Sequence, residues 1–280
     1  MRLGLCLLLA LFAVGCQLSP PSTPMPGSSS VSGIVDRTRE ATSTVSDSLK
    51  ATTTATATPS SSVTPTLVPT PAPTVAPTWP KGARELVRGD TTQPYVAITL
   101  DAGAGAEFTP TILSILREKK LQASIFLTGK WAEQNTTLVQ QIVADGHEIG
   151  NHSYDHPDFT TIKPAEMIDQ INRTEEIIRK ATGKSTRPLF RYPFGARDEQ
   201  SIATVTNLGY RSIYWTLDSG DWRDETTPES EIKTVMSYVG NGAVIVFHLN
   251  AAPTSKSLGR IIDQLRAEGF RLGKVSQLPE

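Results

Sequence analysis

From residue 95 to the C-terminus, apolar runs of strand length alternate with longer segments whose apolar residues recur at helical spacing. The short runs predict strands over 95–100, 123–128, 147–151, 188–190, 210–217, 243–248 and 271–275. The longer segments predict helices over 109–120, 136–145, 164–182, 198–208, 228–239 and 257–268. The 164–182 segment places Met167, Ile168, Ile171, Ile177 and Ile178 near one face, with Glu175, Glu176, Arg179 and Lys180 largely elsewhere. Gly146, Gly183, Gly209 and Gly269 follow four of the helices, where a left-handed residue commonly ends one. Such alternation predicts an α/β fold with a parallel sheet, and seven units are enough to curl into a barrel. A flat doubly wound sheet is the alternative, although no Gly-x-Gly-x-x-Gly turn supports dinucleotide binding.

The first 80 residues follow a different pattern. Met1-Arg2 and the apolar run Leu3–Val14 have the layout of a secretory signal, and the run falls short of the about 20 apolar residues that span a bilayer. The run closes on Ala13-Val14-Gly15-Cys16, which resembles the lipobox of bacterial lipoproteins. The resemblance implies removal of residues 1–15, a lipid anchor on Cys16, and an extracytoplasmic, membrane-anchored domain. The alternative is ordinary cleavage and secretion, with Cys16 incidental. Residues 16–80 are expected to be a disordered linker: in Ala51–Pro80, 20 of 30 residues are Ser, Thr or Pro and none is charged. The folded domain is expected over 81–280. Both cysteines, Cys6 and Cys16, lie in the leader, so this domain has neither a disulfide nor a thiolate metal site. A formal net charge of −1 without long runs of one sign gives no basis for nucleic-acid binding, and a monomer is expected.

Five predicted strands run into residues capable of acid–base or metal chemistry. Tyr95–Leu100 leads to Asp101, Glu148–Asn151 to His152, Pro188–Phe190 to Arg191, Ser212–Leu217 to Asp218, and Ala243–Phe247 to His248. In a parallel barrel the carboxyl ends of the strands open on one face, so these side chains converge there. His152 and His156, four apart, would lie on one face of a helical turn and share a cation, with zinc the usual partner of imidazole nitrogens. The alternative is one core histidine and one surface histidine. His147, at the opposite end of its strand, reads as packing or solvent-facing. Arg191 could instead form a surface ion pair, and Asp218 and Asp221 could cap a turn around Gly220. Trp131, Trp215 and Trp222 would ordinarily be core or rim residues.

These residues fall in ordered motifs, and from Tyr95 onward the chain resembles the polysaccharide deacetylases, carbohydrate esterase family 4, with the NodB homology domain. Thr99-Leu100-Asp101-Ala102-Gly103 is similar to the first motif, normally Thr-Phe-Asp-Asp-Gly. His152–His156 matches the second, Arg191-Tyr192-Pro193-Phe194 the third, and Asp218-Ser219-Gly220-Asp221-Trp222 the fourth; Val246-Phe247-His248 is similar to the fifth. The resemblance implies a distorted (β/α) barrel and metal-assisted removal of acetyl groups from acetylated polysaccharide. By the same resemblance, Asp101 is the general base and His248 the general acid. Arg191 holds Asp101, Asp221 supports His248, and the Phe194 N–H contributes to the oxyanion site. Trp222 and Val246 line the acetyl groove. His152 and His156 bind a divalent metal, zinc first, with cobalt or nickel as alternatives.

Ala102 breaks the pattern, because the family places a metal-binding aspartate there and alanine has no donor atom. Three outcomes are open: two imidazoles hold the metal with water or another side chain (Glu107, Asp155 and Asp158 are near in sequence); Asp101 becomes a ligand; or the metal is lost and the domain only binds glycan. The first is preferred because the acid–base residues are all present. The expected activity is removal of N-acetyl groups from cell-wall polysaccharide such as peptidoglycan. The alternatives are a weak or inactive glycan-binding wall protein and an O-acetyl esterase of the xylan type.

Overall fold

The structure, a computed structural model, describes residues 84–280. The signal, the Cys16 anchor and the linker expected before residue 81 lie outside the described residues. The strands are β1 (Glu85–Leu86), β2 (Tyr95–Ala102), β3 (Ser124–Leu127), β4 (Glu148–Asn151), β5 (Leu189–Phe190), β6 (Arg211–Ile213), β7 (Leu217–Asp218), β8 (Ala243–His248) and β9 (Arg271–Gly273). The helices are α1 (Thr109–Glu118), α2 (Gly129–Gln134), α3 (Thr136–Ala144), α4 (Pro164–Thr182), α5 (Glu199–Asn207), α6 (Pro228–Tyr238) and α7 (Thr254–Ala267). All strand pairings among the described residues are parallel, in the order β1-β6-β5-β4-β3-β2-β8-β7, with β9 beside β2. The sheet curls into a parallel half-barrel of nine described strands, consistent with the expected distorted (β/α) barrel of about seven strands.

Period-2 alternation sorts each strand onto two faces. On β2, Val96, Ile98, Leu100 and Ala102 join the cluster beneath the helices, with Ile112, Leu116, Ile261 and Leu265. Tyr95 and Ala97 face the interior with Phe126, Leu189 and Val244. A third cluster packs α4 and α5 over β5 through Phe159, Met167, Ile171, Phe190, Val205 and Tyr210. Gly183 ends α4 at φ 70°, and the glycines after three other helices are also left-handed.

Three local readings change. The run expected as one strand over 210–217 is two, β6 and β7, interrupted where Tyr214 and Trp215 stack at 4.1 Å. The last helix begins at Thr254, three residues early. On α4, Ile168 is exposed and Glu175 is buried. Glu175 is buried at little cost because Thr186 N–H, the Thr186 and Ser185 hydroxyls and Arg179 all donate to its carboxylate.

Candidate active site

β2 and β8 pair so that Asp101 lies opposite His248, two residues beyond the pairing of Thr99 with Val246. All four belong to the interior-facing set, at the carboxyl ends of adjacent strands. Arg191 follows β5 and is fully buried. Its Nη1 donates to Asp101 Oδ1 at 2.7 Å and to Thr99 Oγ1 at 2.8 Å, and its Nε donates to the Ile213 carbonyl at 3.0 Å. The guanidinium carbon stands 4.2 Å from the centre of the Phe126 ring, so the arginine is locked by packing as well as by hydrogen bonds. Burial alone would push the Asp101 carboxyl up, but the charge and hydrogen bond of Arg191, with the charge of His248, outweigh it and hold it below the usual carboxylate range.

The histidine pair comes together, but not on a helical turn. Residues 152–156 form a loop with Ser153 at φ 65° and His156 at φ 69°. Asn151 Oδ1 accepts the Ser153 N–H, Gln170 Oε1 accepts those of Tyr154 and Asp155, and Ser153 Oγ accepts that of His156. Neighbouring side chains therefore supply what a helix would take from its own carbonyls. The two imidazole centroids end 4.8 Å apart. His152 Nδ1 is 2.9 Å from the Arg191 carbonyl, which only accepts, so the proton sits on Nδ1 and the Nε2 lone pair faces the site. Burial keeps both rings neutral: it lowers His152, and with the nearby His152 ring it pushes His156 down to about 4.

His152 Nε2 lies 3.7 Å from Asp101 Oδ2. A lone pair facing a carboxylate calls for a positive species between or beside them, and in this respect the pair suits a cation. A third protein donor is missing. Among the described residues no group of three His, Cys, Asp or Glu is arranged to hold a metal ion. Asp155 bonds Gln170 and Asp158 caps Thr160, and neither they nor Glu107 line the site. Ala102 itself is 1% exposed in the apolar cluster beneath the helices, on the opposite face of β2 from Asp101.

Across the site, His248 Nδ1 donates to Asp221 Oδ1 at 2.7 Å, and the His248 N–H donates to Asp221 Oδ2 at 2.7 Å. Desolvation pulls the His248 pKa down, but the Asp221 hydrogen bond and the charges of Asp221, Asp101 and Asp218 raise it above its ordinary value. Asp218 does serve as a turn cap: its Oδ1 accepts the Gly220 N–H, and its Oδ2 accepts Trp222 Nε1 at 3.1 Å. That bond fixes the indole at the rim. His147 plays no part here; its Nδ1 accepts the Ala123 N–H, and burial pushes it down to about 4.

A cavity of about 1080 Å³ opens over these residues, with Asp101, His152, His156, Val246 and His248 on its wall. Phe194 and Trp222, 70% and 59% exposed, form its rim, an apolar platform of the kind that contacts a sugar face. Phe194 has φ 57°. The turn's own bonds come from the N–H groups of Gly195 and Ala196, which leaves the Phe194 N–H out of them. Every expected site residue is thus brought to one place, Arg191 from behind Asp101. Two residues have roles that the sequence reading did not assign. Thr99, which accepts from Arg191 and donates to the Ile245 carbonyl, shares the face of Asp101 two residues on, and period 2 was the available signal. Thr254, whose hydroxyl is 2.6 Å from Asp221 Oδ2, is distant in sequence and carries no local signal.

Comparison with known proteins places the chain among related sequences and folds. The pattern described as polysaccharide deacetylase matches residues 88–213. YlxY of Bacillus subtilis is 33% identical over 193 residues, which are 69% of this chain and 60% of that protein, so the chain spans less than two thirds of its length. A peptidoglycan-N-acetylglucosamine deacetylase of Bacillus cereus is 30% identical over 198 residues, 69% of this chain and 71% of the relative. Among solved structures, a CE4 family pseudoenzyme from Bacillus anthracis superposes with a TM-score of 0.67 at 29% identity, covering 70% of this chain and 69% of that one.

Proposed function

The chain belongs to the polysaccharide deacetylase family, hydrolases of N-acetyl amide bonds, and on that premise we propose that it deacetylates a cell-wall glycan outside the cytoplasm. The observation that carries the proposal is the pairing of Asp101 with His248 across β2 and β8, each backed by its own charged partner.

Amide hydrolysis needs a nucleophilic water, charge stabilisation on the carbonyl oxygen, and a proton for the departing amine. Asp101, ionised and aimed by Arg191, takes a proton from the water as its oxygen bonds the acetyl carbon. The Phe194 N–H faces the oxygen on which charge develops. Protonated His248, oriented by Asp221, gives its proton to the sugar nitrogen as the carbon–nitrogen bond breaks, and acetate leaves. The acetyl methyl rests against Val246 and Trp222. His152 and His156 would hold a divalent cation, zinc or alternatively cobalt or nickel, whose charge lowers the pKa of a water toward about 7. With two protein donors instead of the usual three, solvent would complete its shell and retention would be weak.

The cell-wall assignment is supported by the peptidoglycan deacetylase among the relatives and by the lipobox-like segment ending in Cys16, which would tether the domain to a membrane. Acetate release from N-acetylglucosamine oligomers and from purified peptidoglycan, with and without chelator, tests the reading. Absence of release from either substrate at any level of added Zn²⁺, Co²⁺ or Ni²⁺ overturns it. A second reading, glycan binding without turnover, is favoured by Ala102 and by the pseudoenzyme neighbour. It requires that Asp101→Asn and His248→Ala leave glycan affinity unchanged and that no wild-type turnover exists to lose.

A further inference from the structure

Behind the Asp221–His248 pair lies a second buried carboxyl, Glu231 of α6, with no exposed surface. Its Oε1 is 2.8 Å from Thr254 Oγ1, and its Oε2 accepts from Ser257 Oγ at 2.5 Å. The same Thr254 oxygen is 2.6 Å from Asp221 Oδ2. A hydroxyl has one proton and can donate it to only one of two carboxylates. If both acids were ionised, one carboxylate oxygen would face a lone pair at hydrogen-bond distance in a site without water access.

The contacts are all satisfied in one arrangement. Glu231 carries a proton on Oε1 and donates it to Thr254 Oγ1, Thr254 donates to Asp221 Oδ2, and Asp221 Oδ1 accepts from His248 Nδ1. We propose that Glu231 is a positioning residue that keeps a reserve proton for the Asp221–His248 pair through the Thr254 hydroxyl. The inference deepens the deacetylase reading and, in its activity arm, rests on it.

The surroundings agree with a protonated carboxyl. Burial pushes Glu231 up to about 7, against the pull of the Ser257 hydroxyl, and the Asp221 charge adds to the rise. The charged or titratable groups near it are few among the described residues. Asp221 faces it from the loop after β7, with His248 of β8 directly beyond. The α7 residues that bond it, Thr254 and Ser257, are neutral. Glu229 on its own helix points to solvent and pairs with Arg260 at 3.1 Å. Loss of the Glu231 proton would free Thr254 to turn from Asp221 and would place a second negative charge one hydroxyl away. Both changes favour the protonated imidazole, so the general acid stays charged to higher pH than Asp221 alone would allow.

Two measurements on the full chain test this. Carboxyl ¹³C NMR of the wild type and of Glu231→Gln should show one glutamic acid that titrates near neutrality and is missing in the variant. In Asp221→Asn its midpoint should fall by at least about half a pH unit. A Glu231 carboxyl that titrates near about 4.3, as a free one does, overturns the proposal. So does a midpoint that ignores Asp221→Asn. Neither result depends on deacetylase activity. In the second measurement, kcat on N-acetylglucosamine oligomers is followed against pH. Glu231→Gln, which keeps a donor toward Thr254, should retain the rate on the acid side while its alkaline limb moves to lower pH by about half a unit or more. In a Thr254→Val background the same substitution should shift the limb less than half as far, and an undiminished shift overturns the hydroxyl relay. If the wild type releases no acetate, the deacetylase reading fails while the NMR result still decides the proton on Glu231.

Discussion

Arg191 Nη1 lies 2.7 Å from Asp101 Oδ1 with the guanidinium fully buried, so the proposed base depends on one cation that solvent cannot replace. Removing one member of a buried pair leaves an uncompensated charge, which costs about 3–5 kcal/mol. Arg191→Met is therefore expected to lower unfolding stability by that amount in urea. Asp101→Asn keeps an acceptor for the guanidinium and should destabilise less, while reducing kcat by about 10²–10⁴-fold. A larger stability loss in Asp101→Asn than in Arg191→Met would contradict this account.

The same pair sets an acid-side dependence of stability. The Asp101 carboxyl is held below its unfolded value, so its contribution is present above about pH 3.9 and is lost as pH falls through the folded value. His248 has the opposite sign. Its pKa is raised on folding, so its contribution is complete below about pH 6.5 and disappears as pH rises through the folded value. Asp221→Asn removes the main raising partner. Its alkaline limb of activity should move to lower pH, and its stability should no longer decline over the range where His248 loses its proton. Paired pH titrations of kcat and of the urea midpoint check both signs.

Much of this arrangement could be read from the chain because strand ends in a parallel barrel form one surface. Asp101, His152, Arg191, Asp218 and His248 each follow an apolar run, and the runs alone place them together. Two-residue strands hold too few positions for periodicity: Glu85–Leu86 gave no signal and Leu217–Asp218 was merged with its neighbour, whereas Leu189–Phe190 was legible only as an apolar pair between Pro188 and Arg191. The histidine spacing suggested a helical turn because i, i+4 is helical geometry, whereas Asn151, Gln170 and Ser153 hold a loop with the same outcome. Contacts between distant segments, such as Thr254 with Asp221, have no local pattern at all.

Gly150 on β4 links packing to the site. A Cβ there would clash with the edge of the Phe126 ring, and Phe126 is the ring on which the Arg191 guanidinium rests. Gly150→Ala is expected to cost about 1–3 kcal/mol through overpacking and to displace the arginine from beneath Asp101. Activity should then fall more steeply than the folded fraction at the same temperature. Equal losses of activity and of folded protein would show that Phe126 yields without moving Arg191.

Ala102→Asp asks how far one missing donor limits the site. Strand alternation sends the Ala102 side chain beneath the helices with Leu100 and Ile112, while Asp101 faces the cavity. A carboxylate introduced there without metal is a buried unpaired charge, so the apo variant should be less stable by about 1–3 kcal/mol or more. The Ala102 carbonyl accepts the Thr128 N–H at 2.9 Å, so a side chain at position 102 reaches His152 and His156 only if the backbone turns at the end of β2. A bound cation then offsets the penalty by mass action, about 2.7 kcal/mol when zinc stands at 100 times its Kd. The variant's Tm should fall in chelator and recover with zinc, with a larger zinc response than the wild type, and turnover should rise about tenfold or more as a third donor secures the cation. If zinc leaves the Tm of Ala102→Asp unchanged, the carboxylate has remained in the apolar cluster, and the path of the backbone at the end of β2 is what limits metal binding.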